Sequence, residues 1–98
     1  MIFAANFKTN HTRATTKEYI ASLSSMIEES KTTNEVFVFP PSTALDSFDT
    51  PIVVGTQNAY PAQNGAYTGE IGLDQLDEFG IDTILIGHSE RREILGVI

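Results

Sequence analysis

The chain has 98 residues, no cysteine and a formal net charge of −7 at pH 7. This length fits one small domain or part of a larger one. The acidic charge argues against nucleic acids and anionic membranes as partners, because no basic patch is available to neutralise phosphates. Without cysteine there are no disulfides, which is compatible with the cytoplasm. The sequence shows no signal peptide and no run of about 18 apolar residues, so we expect no membrane span.

Strand and helix patterns alternate from the N-terminus. Met1–Ala5 is apolar and short and predicts a strand, after which come Asn6, Phe7 and Lys8. A helix is predicted from about Thr15 to Ser30, because apolar residues recur there at spacings of three and four. These residues are Tyr19, Ile20, Leu23, Met26 and Ile27. The β-branched and aromatic run Glu35–Phe39 predicts a second strand.

The middle of the chain predicts one more helix, one more strand and a long loop. Pro41 is suited to the first turn of a short helix that we expect to reach about Phe48. Ile52–Gln57 predicts a third strand. Tyr60 to Gly72 shows no hydrophobic period and predicts a loop. Loops of this length are usually functional or form an interface.

The last part of the sequence completes an alternating pattern. Leu73–Phe79 predicts a short helix that ends at Gly80. Thr83–Ile86 predicts a fourth strand, buried on both faces, and a further helix is expected to begin at Ser89. Alternation of this kind is typical of the α/β class, with a parallel sheet and right-handed crossovers.

The segment after the fourth strand has residues suited to catalysis. His88 follows Gly87 at the carboxyl end of that strand, where α/β proteins place their active sites. Ser89 is a plausible N-cap, and Glu90 falls in the first helical turn. The positive end of the helix would keep the His88 imidazole neutral, as suits a group that polarises a carbonyl. The alternative is a structural histidine at a strand end.

Three stretches resemble the triosephosphate isomerase family in order and spacing. They are Ala5-Asn6-Phe7-Lys8, Gln63-Asn64-Gly65-Ala66-Tyr67-Thr68-Gly69-Glu70 and Gly87-His88-Ser89-Glu90-Arg91-Arg92. The resemblance implies the first half of a (β/α)8 TIM barrel, with four parallel β-strands and intervening helices. Residues 1–98 would then be a single partial domain, because a complete barrel needs about 250 residues.

The resemblance also implies an activity and the residues that perform it. The complete enzyme would interconvert dihydroxyacetone phosphate and glyceraldehyde 3-phosphate in glycolysis and gluconeogenesis, in the cytoplasm, without metal or cofactor. Asn6 and Lys8 would bind the triose phosphate, and His88 would be the electrophilic catalyst, with Lys8 as a second catalytic residue. Ser89 and Glu90 would support them, Glu90 by pairing with Lys8. From the residues alone, Lys8 could be a solvated loop lysine and Glu90 a surface acid.

The resemblance further implies a homodimer formed through the loop around Thr68. That loop would lie beside the Asn6–Lys8 segment of a second subunit, and Glu70 would face its Arg91. An ordinary surface loop is the alternative. The sequence departs from the family at Phe7, where tryptophan is common, and at Thr9, where methionine is common. Val97 stands where a glutamate is expected to hold Arg91, so the arrangement of Arg91 is open.

Proton transfer between two carbons requires a general base. In the family this base is a glutamate on a mobile loop after the sixth strand, and the phosphate-binding loops follow later. None of them lies within these 98 residues. The alternative interpretation is therefore a non-catalytic (β/α)4 half-barrel that self-associates or binds a complementary half.

Overall fold

A computed structural model describes residues 1–86 of the chain. Its strands and helices follow the predicted alternation. They are β1 (Ile2–Asn6), α1 (Arg13–Ser30), β2 (Glu35–Phe39), a 3-10 helix (Ser42–Ala44), β3 (Val53–Val54) and α2 (Leu73–Glu78). The three strands form one parallel sheet in the order β1-β2-β3. The α/β class predicted from the sequence is confirmed.

The strand register brings the carboxyl ends of the strands to one edge of the sheet. β1 pairs with β2 along its whole length, so that Asn6 lies opposite Phe39. β3 continues the sheet through the pairs Phe37–Val53 and Val38–Val54. The residues that follow β1 and β3 therefore leave the sheet on the same side.

The predicted fourth strand is present only as one parallel bridge between Thr56 and Ile84. The backbone N–H of Thr56 donates to the carbonyl of Thr83 at 2.9 Å, and that of Leu85 donates to the carbonyl of Thr56 at 2.9 Å. The expectation of burial on both faces is wrong for this segment, since Ile84 is 38% exposed and Ile86 is 83% exposed. Within residues 1–86, Ile86 is therefore mostly in contact with solvent and Ile84 is only partly covered.

Helix α1 begins at Arg13, two residues earlier than predicted, because Thr12 forms its N-cap. The Thr12 hydroxyl accepts from the backbone N–H of Thr15 at 3.3 Å. In return, the Thr15 hydroxyl accepts from the backbone N–H of Thr12 at 2.8 Å. This reciprocal pair satisfies two N–H groups that the helix leaves without an internal partner.

The core lies between α1 and the sheet. Its buried members are Phe7, Ile20, Val38 and Ile52. Leu23 and Ile27 pack against this cluster, but Tyr19 is 38% exposed and Met26 is 56% exposed. The apolar stripe predicted for α1 is therefore only partly in contact with the core.

The helix predicted from Pro41 to about Phe48 is wrong, because only Ser42–Ala44 forms a short 3-10 helix. Leu45 already has an extended backbone, with ψ 136°. Tertiary contacts hold the residues that follow. Asp46 forms an ion pair with Arg13 at 3.2 Å, and the Ser47 hydroxyl donates to the carbonyl of Phe79 at 3.1 Å.

The remaining boundaries differ by small amounts. β3 covers Val53–Val54 of the predicted Ile52–Gln57 strand, and α2 ends one residue before the predicted Phe79. Gly80 has φ 71°, as expected for the glycine that follows a helix. In the part of the chain described, no helix is both long enough and apolar enough to cross a lipid bilayer.

Candidate functional site

Asn6 and Lys8 lie at the carboxyl end of β1, as the sequence predicted for substrate-binding residues. The Asn6 side-chain oxygen accepts a hydrogen bond from the backbone N–H of Lys8 at 2.9 Å. Lys8 has φ 55°, in the left-handed region that non-glycine residues seldom occupy. Such a conformation persists only where surrounding contacts impose it. The Asn6 side chain provides one of these contacts.

Gln57 provides a second contact, from the chain after β3. Its side-chain amide donates to the carbonyl of Lys8 at 2.8 Å and to the carbonyl of Phe39 at 2.9 Å. One side chain thus connects the segments that follow β1, β2 and β3. Gln57 is the last residue of the predicted third strand, and the sequence indicated no role for it. Its position at the carboxyl edge of the sheet was the signal that could have identified it.

Phe7 fixes the chain between Asn6 and Lys8. Its ring is only 6% exposed and belongs to the core, and its backbone N–H donates to the carbonyl of Phe39 at 3.1 Å. Phenylalanine therefore fills an apolar position beside the candidate site. Although tryptophan is common at this position in the family, Phe7 also places an aromatic ring in the core.

The predicted loop from Tyr60 to Gly72 is closed at its base by backbone hydrogen bonds. The N–H of Tyr60 donates to the carbonyl of Ile71 at 2.9 Å, and the N–H of Leu73 donates to the carbonyl of Ala62 at 3.0 Å. The rings of Tyr60 and Tyr67 stack, with centroids 4.1 Å apart. The loop therefore has internal structure, although it contains neither helix nor strand.

Thr68 and Glu70, the predicted interface residues of this loop, are both exposed. The Glu70 carboxylate accepts from the side-chain amide of Asn58 at 3.2 Å. Its backbone N–H donates to the carbonyl of Tyr67 at 3.0 Å. The bond with Asn58 connects the exposed part of the loop to the segment after β3, whereas the bond with Tyr67 lies within the loop.

The other predicted site residues lie outside the described residues. They are the catalytic His88, the supporting Ser89 and Glu90, and the interface residue Arg91; Val97 lies there too. The pairing of Glu90 with Lys8 stays a prediction. Of the predicted substrate-binding and catalytic residues, Asn6 and Lys8 are the two that lie within residues 1–86, and both are at the carboxyl end of β1.

The arrangement around Lys8 is suited to an anionic ligand. Lys8 is exposed at the carboxyl edge of the parallel sheet, where a positive charge can attract an anionic oxygen. Within residues 1–86, no three His, Asp or Glu side chains come close enough together to hold a metal ion.

Comparisons with known proteins agree along almost the whole chain. The family model described as triosephosphate isomerase matches residues 1–97. A protein of Sulfurovum sp. strain NBC37-1 named triosephosphate isomerase is 66% identical over 96 residues, covering 98% of this chain and 42% of the relative. A protein of the same name from Wolinella succinogenes is 58% identical, and the match covers 98% of this chain and 42% of that relative. Another, from Sulfurimonas denitrificans, is also 58% identical, and the match covers 98% of this chain and 40% of that relative. The chain thus spans about two fifths of the length of these relatives.

Proposed function

Because the chain belongs to the triosephosphate isomerase family, we propose that it is the N-terminal portion of an enzyme that interconverts dihydroxyacetone phosphate and glyceraldehyde 3-phosphate. The observation that carries this proposal is the match along residues 1–97. Both substrates are triose phosphates, and the reaction transfers a proton between adjacent carbons through an enediolate. We place the complete enzyme in glycolysis and gluconeogenesis, in the cytoplasm.

In this proposal Asn6 and Lys8 bind the substrate, and Lys8 and His88 stabilise the enediolate. The ammonium group of Lys8 supplies a fixed positive charge, and the His88 imidazole donates a hydrogen bond to the substrate oxygen. Ser89 and Glu90 support these groups. The general base comes from the part of the enzyme beyond these 98 residues. The role of Lys8 is supported by the two hydrogen bonds that shape its turn: its N–H donates to the Asn6 side chain, and its carbonyl accepts from Gln57.

We further propose that residues 1–98 form a single partial domain, the first half of a (β/α)8 barrel. The parallel bridge between Thr56 and Ile84 supports a fourth strand beside β3. We propose that the complete enzyme is a homodimer in which the loop around Thr68 contacts the second subunit, with Glu70 facing its Arg91. The exposure of Thr68 and Glu70 leaves both available for that contact.

The test compares the 98-residue chain with an extended protein, in which this chain is followed by the remainder of the Sulfurovum relative. The proposal predicts turnover of glyceraldehyde 3-phosphate by the extended protein in a coupled assay, and none above buffer by the chain alone. Lys8→Met in the extended protein should lower kcat/KM by about 10²–10³-fold, because the fixed charge near the substrate oxygen is lost.

Lys17→Met is the matched control for this variant. It removes an exposed lysine from α1 and should leave kcat/KM unchanged. An inactive, folded extended protein would contradict the proposed function. A Lys8→Met variant as active as Lys17→Met would contradict the role of Lys8.

A non-catalytic half-barrel is the second candidate. It is favoured by the exposure of apolar side chains on β1 and the fourth-strand segment, among them Ile2 at 64%, Phe3 at 50% and Ile86 at 83%. Such surfaces mark interaction sites. This candidate predicts that the chain associates with itself or with a complementary half, and that no extended form has isomerase activity.

A further inference from the structure

The segment between β1 and α1 contains two non-glycine residues in the left-handed conformation. Lys8 has φ 55°, and His11, three residues later, has φ 72°. The backbone N–H of Asn10 donates to the carbonyl of Phe7 at 2.9 Å and makes this segment a tight turn. A side chain at His11 strains the backbone, which glycine would not do. The contacts of that side chain therefore need a physical explanation.

The imidazole of His11 belongs to an aromatic cluster with the rings of Phe7 and Tyr19. The His11 and Phe7 ring centroids are 4.5 Å apart, and those of Phe7 and Tyr19 are 4.9 Å apart in an edge-to-face arrangement. The third pair, His11 and Tyr19, is 5.7 Å apart. These separations lie in the range in which aromatic rings attract one another.

A hydrogen-bonding contact connects the same ring to the start of α1. Nδ1 of His11 lies 3.1 Å from the hydroxyl oxygen of Thr15, which also takes part in the N-terminal cap of the helix. His11 is thus joined at one end to Phe7 in the core and at the other to α1. Lys8 lies in the turn between Phe7 and His11.

We propose that His11 is a positioning residue for Lys8. The aromatic cluster holds both ends of the turn that contains Lys8, and so keeps the ammonium group at the carboxyl edge of the sheet before substrate arrives. This inference rests on the proposed function, because it takes Lys8 to be a substrate-binding residue. His11 itself touches no substrate in this arrangement and acts through the turn.

The test uses His11→Gly in the extended protein. Glycine adopts the φ of 72° without strain, so this variant removes the ring while the backbone conformation stays accessible. We expect faster amide hydrogen exchange at Lys8 and Asn10, whose N–H groups bond within the turn. We also expect KM to rise by about three- to tenfold with a smaller change in kcat, since binding is weakened more than chemistry.

Two further variants separate the ring from the backbone. His11→Asn tolerates the left-handed conformation but lacks the ring, and it should resemble His11→Gly. His11→Phe retains a ring that can pack against Phe7, and it should restore slow exchange and most of the wild-type KM. The matched control is Lys31→Gly, which replaces another residue of positive φ, at the far end of α1, and should leave KM unchanged.

The outcomes distinguish this inference from the proposed function. Slow exchange at Lys8 and Asn10 in both His11→Gly and His11→Asn overturns the positioning role. A KM in these variants equal to that of Lys31→Gly also overturns it, provided that Lys8→Met does raise KM. If exchange quickens but KM is unchanged in both the His11 variants and Lys8→Met, the turn is held by His11 and the substrate-binding role of Lys8 fails. Faster exchange together with a raised KM, restored by His11→Phe, supports both.

Discussion

Lys8 is held by hydrogen bonds from two side chains that are far apart in the sequence. Asn6 accepts from its N–H, and Gln57 donates to its carbonyl. Only the first of these contacts is local, so it could be anticipated from the order of residues after a strand. The second depends on the sheet, because Gln57 reaches Lys8 only when β1 and β3 lie on either side of β2.

Replacing Gln57 by leucine should therefore loosen the turn around Lys8. The variant removes two hydrogen bonds, to the carbonyls of Lys8 and Phe39, and a lost hydrogen bond costs about 0.5–1.5 kcal/mol. The Phe39 carbonyl keeps its bond from the N–H of Phe7, so the larger effect falls on the turn at Lys8. We expect a lower urea midpoint and a reduced kcat/KM for Gln57→Leu in the extended protein. Lys17→Leu, at an exposed position of α1, serves as the control. Equal midpoints for the two variants would contradict this account of Gln57.

Thr16 presents the opposite case, a buried hydroxyl without a hydrogen bond. Thr16 is fully buried, and its side-chain oxygen has no hydrogen-bond partner among the described residues. Valine has nearly the same shape and no polar atom, so Thr16→Val should raise the free energy of unfolding by about 1 kcal/mol. Chemical denaturation checks this, with Thr15→Val expected to destabilise because Thr15 takes part in the cap. A Thr16→Val variant less stable than wild type would show that the hydroxyl has a favourable role.

At the scale of the elements, the sheet depends on a close approach at Gly55. A Cβ atom there would lie 2.5 Å from the Phe39 ring and 2.8 Å from the carbonyl oxygen of Thr83. The N–H of Gly55 also donates to the carbonyl of Val38 at 2.9 Å. The absence of a side chain at this position therefore favours the bridge from Thr56 to the fourth-strand segment.

Gly55→Ala should consequently weaken the contact between β3 and residues 83–85. The Phe39 ring can move, but the Thr83 carbonyl belongs to the backbone that bonds Thr56. We expect faster amide exchange at Thr56 and Leu85 and a destabilisation of about 1–3 kcal/mol, typical of overpacking. Gly80→Ala is not a suitable control, because Gly80 has positive φ; Ala59→Gly, in the loop after β3, is used instead. Unchanged exchange at both amides would contradict the close-packing argument.

For the whole molecule, the apolar side chains at the edges of the sheet determine how the isolated chain behaves. Met1 is 85% exposed, Ile2 64%, Phe3 50% and Ile86 83%. A fully exposed side chain of this size forgoes roughly 1.5–3 kcal/mol of burial energy, and a half-exposed one about half of that. The outer edge of β1 also presents backbone groups that another strand can pair with, and within residues 1–86 no strand covers it.

The isolated 98-residue chain should accordingly associate with itself. Sedimentation at micromolar concentration should show dimers or larger species, and Ile2→Lys combined with Phe3→Lys should shift them towards monomer. The double variant Lys17→Ser and Glu18→Ser, on exposed α1 positions, should leave the distribution unchanged. A compact wild-type monomer that unfolds cooperatively would refute the half-barrel interpretation.

The sequence by itself determined the α/β class, the three strands and two α-helices in their order, and the placement of Asn6 and Lys8 at the carboxyl end of the first strand. These features follow from local information, namely hydrophobic period, strand composition and short motifs. Helix α1 begins only two residues before its predicted start, because the N-cap residue Thr12 lies close to that start.

Only the tertiary structure decided those features that depend on contacts between residues far apart in the sequence. The 3-10 helix ends before Leu45 although the sequence favoured its continuation, and the next residues instead contact distant ones, Asp46 with Arg13 and Ser47 with Phe79. The role of Gln57 and the ring contacts of His11 also arise only once the strands are adjacent and α1 packs on them. Periodicity specifies which face of an element is apolar, whereas the contacts that face makes are set by the neighbours that the fold brings to it.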